Sequence, residues 1–158
     1  MGSRSLTDLH RPAYERAERF MVECERNGII VLVYCTYRSL AEQAALYAQS
    51  REPLVRVNAL RASVRLPAIT AEDNRHRVTN AAPGQSLHGY RLAFDCVVIQ
   101  AGKPVWSGAH PIWRTVGMIG EAAGLEWADR WQGSLRETGH FQYSGGLTIQ
   151  ELAAGKVP

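Results

Sequence analysis

The sequence lacks a long apolar run, and this absence limits how the chain can meet a membrane. No stretch of its 158 residues is apolar over the roughly 20 positions that a bilayer-spanning helix needs. The N-terminal segment also lacks the apolar core of a secretory signal. We therefore expect a protein that is made in the cytoplasm of a bacterium or of an infected host and does not insert into a membrane.

Cysteine and excess charge are also scarce. The three cysteines are an odd number, lie in apolar surroundings and lack Cys-x-x-Cys spacing, which argues against a disulfide framework or a structural zinc site built on thiolates. The net charge is only +3, too low to indicate nucleic acid as a partner. The length suits one domain covering residues 1–158, which we expect to be monomeric.

What the sequence contains is a mixture of helix and strand patterns without regular alternation. Helical spacing follows Pro12 and Pro111, and capping signals at Ser39 and Thr148 predict two further helices. The predicted strands are residues 29–35, 92–99 and 140–143, with a hairpin partner starting near residue 105. This order predicts an α+β fold, in which helices flank a small central antiparallel sheet.

Residues 51–76 interrupt these patterns. They mix basic and apolar residues around Pro53 and Pro67, so we expect a long basic loop or insertion. Long loops in compact domains often carry function. A substrate-facing role and a plain surface insertion both remain open.

Asp95 lies within the apolar run of the second long strand. An unpaired carboxylate there costs several kcal/mol, so it needs a cation. Arg38 or Arg91 could supply one. A metal ion is the alternative, with His88 before the strand and His140 at the start of the last strand as further ligands.

Two imidazoles and one carboxylate suit zinc, and three protein ligands leave a fourth position for water. Glu137 comes three residues before His140 and could act as a base beside that water. Spacing alone also allows the two histidines and Asp95 to be unrelated.

The segment SLHGYRLAFD, residues 86–95, resembles the S-x-H-x-x-G-x-A-x-D signature of the M15 metallopeptidases. Further blocks follow in that family's order and cover nearly the whole chain: TYRSLAEQAALYAQ, VTNAAPGQSLH, GLEW with a second tryptophan, and E-x-x-H-F-Q-Y. The resemblance implies a VanY-like fold of the hedgehog and D,D-peptidase type. One zinc ion per chain would then lie in a cleft over the sheet.

The resemblance also implies roles for individual residues. His88, Asp95 and His140 are the implied zinc ligands, and Glu137 is the implied general base. Arg38 is implied as a cation that binds substrate or stabilises the oxyanion, a role that suits a fixed guanidinium. The alternative for Arg38 is an ion pair with Glu42 on the following turn.

Four more residues are candidates for contact with substrate. We expect Ser86 and Gln43 to orient substrate or metal ligands, with local capping and loop hydrogen bonds as the alternative. Trp127 and Trp131 would form a wall against sugar or peptide, with core packing as the alternative.

The sequence departs from the family's pattern in three places. Arg91 occupies the glycine of the signature, residues 128–131 read ADRW where Gly-Gly-Asp-Trp is common, and Gly139 stands where proline often precedes the last histidine. None of these changes removes a ligand. They concern the turn before the strand and the details of substrate binding.

The resemblance implies a zinc-dependent peptidoglycan endopeptidase of the endolysin type. It would cut the L-alanyl-D-glutamate bond of the stem peptide, on the wall side of the membrane after release. A D-alanyl-D-alanine carboxypeptidase of the same fold is the alternative, and a non-catalytic wall-binding module is an alternative of another class. A cysteine-based hydrolase is disfavoured, because Cys35 and Cys96 lie in predicted strands.

Overall fold

The protein is described from a computed structural model, which covers residues 2–133 and 136–158. The helices within these residues are α1 (Arg11–Arg26), α2 (Leu40–Ala48), α3 (Leu54–Ser63), α4 (Ile112–Ala122) and α5 (Ile149–Ala153). The strands are β1 (Ile30–Cys35), β2 (Ala93–Gln100), β3 (Lys103–Val105), β4 (Glu126–Trp127) and β5 (His140–Gln142). The predicted α+β class is confirmed.

The strands form one antiparallel sheet in the order β1-β2-β5-β4. Strand β2 is central: β1 lies along one side of it, and its other side pairs first with β5 and then with β3. Residues 93–95 pair with β5, and residues 98–100 pair with β3. The first three residues of β2 therefore lie beside β5, with Asp95 opposite His140, the first residue of β5.

The core lies on one face of this sheet, under α1 and α4. Phe20 of α1 packs against Phe94 and Phe141, with ring centroids 5.6 and 4.8 Å away. All three side chains are fully buried. Because side chains alternate along a strand, burying Phe94 and Phe141 on this face turns their neighbours Asp95 and His140 to the opposite face.

The continuous apolar run of strand β1 favours a strand buried on both faces, but the structure buries only one face of it. Its side chains alternate between the core and solvent, and Ile30 and Leu32 are 66% and 54% exposed. A continuous apolar run is typical of a strand buried on both faces, but α1 covers only one face of β1. The apolar run therefore predicted the strand correctly but not its environment.

Residues 51–76, predicted as a long basic loop or insertion, contain a helix in their first half. Residues 54–63 form α3, which packs against α2. The Arg61 guanidinium is buried and donates to the carbonyl of Pro67 and to Gln49, which ties the rest of the segment to the helices. The sequence did not predict this helix, because two prolines flank or follow it and only Val57 and Arg61 are buried, which leaves a weak helical periodicity.

The predicted caps hold in part. Thr148 and Glu151 form a complete capping box at α5. Ser39 caps α2 by accepting from the Glu42 amide, but the Glu42 side chain instead accepts from the Gly2 amide at 2.6 Å. None of the helices within the described residues has the length and apolar character needed to cross a membrane.

Candidate metal centre and active site

Asp95 and His140 are paired residues on β2 and β5. Their side chains emerge from the face of the sheet opposite the core, and Asp95 Oδ1 lies 2.9 Å from His140 Nδ1. Both residues are buried, with relative exposures of 8% and 7%. The β2–β5 register therefore brings two chemically reactive groups together across a gap of 45 residues in the chain.

His88 joins them from the short helical turn Leu87–Tyr90, which precedes β2. Its Nε2 lies 3.2 Å from Asp95 Oδ1, and its Nδ1 lies 2.7 Å from the main-chain carbonyl of Thr36. A carbonyl oxygen only accepts, so Nδ1 carries a proton that it donates to Thr36, and Nε2 is the nitrogen that faces Asp95.

The turn that holds His88 depends on Arg91. This residue has a left-handed backbone, with φ 58° and ψ 34°, the conformation that the signature's glycine adopts without cost. Its guanidinium donates to the carbonyl of Asp8 and lies 4.3 Å from the centre of the Tyr37 ring. These contacts stabilise the Arg91 side chain at a backbone position whose left-handed conformation disfavours residues other than glycine.

His140 is oriented by side chains rather than by the main chain. Its Nε2 lies 3.1 Å from Oε1 of Gln142, and Nε2 of Gln142 donates to Glu126 at 2.8 Å. Glu126 also accepts from the Ser144 hydroxyl at 2.7 Å. Because Glu126 takes the amide nitrogen, the Gln142 oxygen faces His140 and accepts from its Nε2–H, while Nδ1 faces Asp95.

Sequence reasoning missed Gln142 and Glu126. Gln142 follows His140 by two residues and so shares its face of β5, which was a usable signal. Glu126 lies 16 residues from Gln142. Only the pairing of β4 with β5 brings the two together.

Nε2 of His88 and Nδ1 of His140 both face Oδ1 of Asp95, at 3.2 and 2.9 Å. Asp95 is shared by two groups of possible metal-binding atoms, one with Cys35 and His88 and the other with Glu137 and His140. Two imidazoles and one carboxylate match the donor set that zinc prefers. Each imidazole also donates its other N–H to a fixed acceptor, as metal-binding histidines usually do. The residues present therefore fit a zinc ion.

Charge at the centre is strongly coupled. Burial favours the uncharged forms of Asp95 and His88, yet the attraction between the carboxylate and the imidazolium outweighs the cost of burying their charges. The pKa of Asp95 is held well below its usual range by the two histidines, and the Asp95 carboxylate raises the pKa of His88 to about 10. A buried carboxylate that demands a partner cation is the electrostatic basis of a metal site.

Glu137 stands at the mouth of the centre. Its Oε2 lies 4.0 Å from His140 Nδ1, and its side chain is 46% exposed. One carboxylate oxygen of Glu137 falls within 4.8 Å of donor atoms from both Asp95 and His140. It therefore lies near the metal position while remaining open to solvent.

Arg38 points into the centre and does not pair with Glu42 by a direct ion pair. Its guanidinium donates to Gln43 at 2.9 Å and to Asp95 at 3.4 Å, and its side chain is only 13% exposed. Gln43 is buried and donates in turn to the Ala81 carbonyl at 2.7 Å. Gln43 thus supports Arg38 from behind.

Cys35 is a further neighbour that sequence reasoning placed only in a strand. Its sulfur lies 3.4 Å from Arg38 Nη2 and 3.7 Å from His88 Nδ1. The thiol is buried. It fills the space between the arginine and the histidine.

The two tryptophans that were predicted to form a wall of the substrate site lie in different environments. Trp127 is buried in the core, where its ring stacks near Phe141 and lies against Gly117, whose missing side chain makes room for it. Its indole N–H donates to the Thr138 carbonyl at 2.8 Å. Trp131 lines the cleft instead, with its ring centroid 5.6 Å from that of His140.

A cleft of about 1330 Å³ opens over the three donor atoms. Ser86, Arg38 and Glu137 line it, while Gln43 and Trp127 lie behind its walls. The volume exceeds the roughly 300–1,000 Å³ of ordinary small-molecule sites. The cleft thus has room for a substrate larger than an ordinary small molecule.

Comparison with known proteins decides the family. A family model described as D-alanyl-D-alanine carboxypeptidase, VanY, matches residues 6–145. The chain belongs to the VanY family. The expected family and enzyme class, a zinc metallopeptidase, are confirmed at the level of this family.

Three solved structures are similar to this chain in fold although their sequence identity to it is low. The Serratia marcescens L-Ala D-Glu endopeptidase ChiX is 19% identical with a TM-score of 0.55, over 96% of this chain and 92% of that one. The LD-carboxypeptidase LdcB is 16% identical with a TM-score of 0.56, over 92% and 68% of the two chains. A vancomycin-resistance D,D-pentapeptidase VanY, solved with Zn(II), is 16% identical with a TM-score of 0.55, over 92% and 83%.

Proposed function

We propose that this VanY-family protein is a zinc-dependent peptidoglycan endopeptidase that hydrolyses the L-alanyl-D-glutamate bond of the stem peptide. The supporting observation is the cleft over the candidate ligands, whose volume of about 1330 Å³ exceeds that of an ordinary small-molecule site. An endopeptidase needs such room, because the substrate continues beyond both sides of the bond that it cuts. The nearly complete mutual coverage with ChiX supports the same choice.

In this proposal His88, Asp95 and His140 hold the zinc through the atoms that converge in the cleft. Zinc, when bound in such a site, acts as a Lewis acid that acidifies water and polarises a carbonyl. The Thr36 carbonyl and the Gln142 side chain keep both imidazoles in the tautomer that ligation requires.

Glu137 is the proposed general base. It takes a proton from the attacking water, whose oxygen adds to the carbonyl carbon, and then gives the proton to the leaving amine as the C–N bond breaks. Its exposed position beside the donor atoms suits a group that must reach both. Arg38, held by Gln43, offers its guanidinium to the oxygen that gains negative charge.

The base assignment is tested with Glu137→Gln. We expect kcat on purified peptidoglycan to fall by about 10²- to 10⁴-fold, the usual contribution of a general base, while about one zinc per chain is retained. Turbidity loss and metal analysis give the two readings. Glu121→Gln, a solvent-facing change on α4, is the matched control. Unchanged lytic activity in the Glu137 variant would show that Glu137 is not the base.

A second candidate is a D-alanyl-D-alanine carboxypeptidase, favoured by the description of the family model. Digestion of peptidoglycan separates the two. New glutamate N-termini support the endopeptidase, and release of free D-alanine supports the carboxypeptidase. The proposed setting, an endolysin that reaches the wall from the cytoplasm, is tested by lysis of cells that express the protein with and without a pore that releases it.

A further inference from the structure

The cleft face of the sheet continues beyond the metal centre as an apolar surface. In the β1–β2 register, Leu32 pairs with Val97 and Ile30 pairs with Ile99. Val97 and Ile99 follow Asp95 at intervals of two and therefore share its face. Leu32 and Ile30 are largely exposed, because α1 and α4 cover only the other face.

Two aromatic rings mark the junction between this surface and the centre. Tyr34 and Trp106 contact edge to face, with ring centroids 5.7 Å apart and an interplanar angle of 66°. Both line the same cleft as the metal-binding residues. We call this pair the aromatic ledge.

The ledge is both near the centre and open to solvent. Tyr34 lies between Val33, which pairs with Cys96, and Cys35, which pairs with Asp95, so its position in the sheet is next to the centre. Trp106 is nevertheless 66% exposed. A tryptophan left open beside a substrate cleft is a typical binding contact, since exposed apolar patches of this kind mark interaction sites.

The chemistry of the proposed substrate indicates the occupant, and this step rests on the proposed function. The stem peptide is attached through its first residue, L-alanine, to a neutral amino sugar of the glycan. If the bond after that alanine is cut, the sugar lies within about two residue lengths, roughly 7 Å, of the reacting carbonyl. A sugar ring has an apolar C–H face, which matches an uncharged aromatic surface.

We propose that Tyr34 and Trp106 bind the amino sugar to which the stem peptide is attached, on the acyl side of the scissile bond. The ledge thereby makes the enzyme prefer glycan-linked stem peptides over free peptides. A substrate cut at its far end would carry its sugar about four residues away, roughly 14 Å, and would gain little from a ledge beside the metal.

The experiment uses two substrates that differ only in the sugar: a muramoyl tripeptide and the same tripeptide N-acetylated on L-alanine. We expect kcat/KM to be about tenfold higher for the muramoyl substrate, mostly through KM, and Trp106→Ala to abolish that preference. Activity on the acetylated peptide should not change in the variant. Met118→Ala, an exposed apolar change on α4, should leave both values as in the wild type.

Binding gives a reading that does not depend on which bond is cut. In the Glu137→Gln background, titration calorimetry should show tighter binding of the muramoyl than of the acetylated peptide by about tenfold, with the difference lost on Trp106→Ala. If the wild-type protein cleaves neither peptide but the binding difference remains in Glu137→Gln, the proposed bond is wrong and the proposed sugar site is retained.

Three results would overturn the proposal. One is equal binding of the two peptides by the wild-type ledge. Another is an equal loss on both peptides in Trp106→Ala, which would mean a structural role. The third is a change of sedimentation from dimer to monomer in Trp106→Ala with sugar preference intact, which would assign the surface to contact between two copies of the chain.

Discussion

The two histidines of the proposed metal centre are held in different ways. His88 donates to the main-chain carbonyl of Thr36, whereas His140 donates to the side chain of Gln142. A main-chain carbonyl at the end of β1 stays in place as long as the sheet is folded. An amide side chain rotates about three bonds and presents either oxygen or nitrogen, so something further must set its direction.

In this protein that further group is Glu126, which accepts from the Gln142 nitrogen and is itself exposed. The His88 side of the centre is therefore specified by the backbone, and the His140 side by a chain of side chains reaching the surface. The comparison predicts that substitution of side chains will affect zinc binding on one side and not on the other.

The largest effect is expected from Gln142→Leu. This change removes the acceptor for His140 Nε2–H, so the imidazole loses its fixed tautomer and orientation. We expect zinc affinity to fall by about 10- to 100-fold. Competition with a chromophoric chelator measures it, and the visible spectrum of the cobalt-substituted protein should shift as the ligand field changes.

Gln150→Leu, an exposed glutamine on α5, is the matched control and should bind zinc as the wild type does. Unchanged zinc affinity in Gln142→Leu, with a wild-type cobalt spectrum, would show that Gln142 does not position His140.

A smaller effect is expected from Glu126→Ala. Gln142 remains but loses the partner that sets its direction, so its oxygen faces His140 only part of the time. We expect zinc affinity to fall by less than about tenfold. Because Glu126 acts through Gln142, the double variant should bind zinc no more weakly than Gln142→Leu alone. Additive losses in the double variant would mean that Glu126 affects the metal by another route.

The smallest effect is expected from Thr36→Val, on the other side of the comparison. The acceptor for His88 is the main-chain carbonyl, which this change retains. The Thr36 hydroxyl is buried with no hydrogen-bond partner among the described residues, so removing it should leave stability unchanged or raise it by about 1 kcal/mol. Zinc titration and thermal unfolding measure the two quantities. A clear loss of zinc affinity would contradict backbone control of His88.

The sequence predicted the α+β class, the main strands and most helix starts, because these follow from local patterns and caps. It also predicted His88, Asp95 and His140 as candidate ligands, since a carboxylate in an apolar strand demands a cation. Helix α3 was missed because its few buried positions and flanking prolines give a weak local signal.

What the sequence alone determined is thus the kind of chemistry: residue types suited to zinc, with a nearby carboxylate and a guanidinium. What only the tertiary structure decided is which neighbours act on them. The pairing of β4 with β5 brings Glu126 to Gln142, and the one-sided cover of α1 and α4 leaves Leu32 and Trp106 exposed. Such contacts join residues far apart in the chain, and no local pattern carries information about them until the strands have paired.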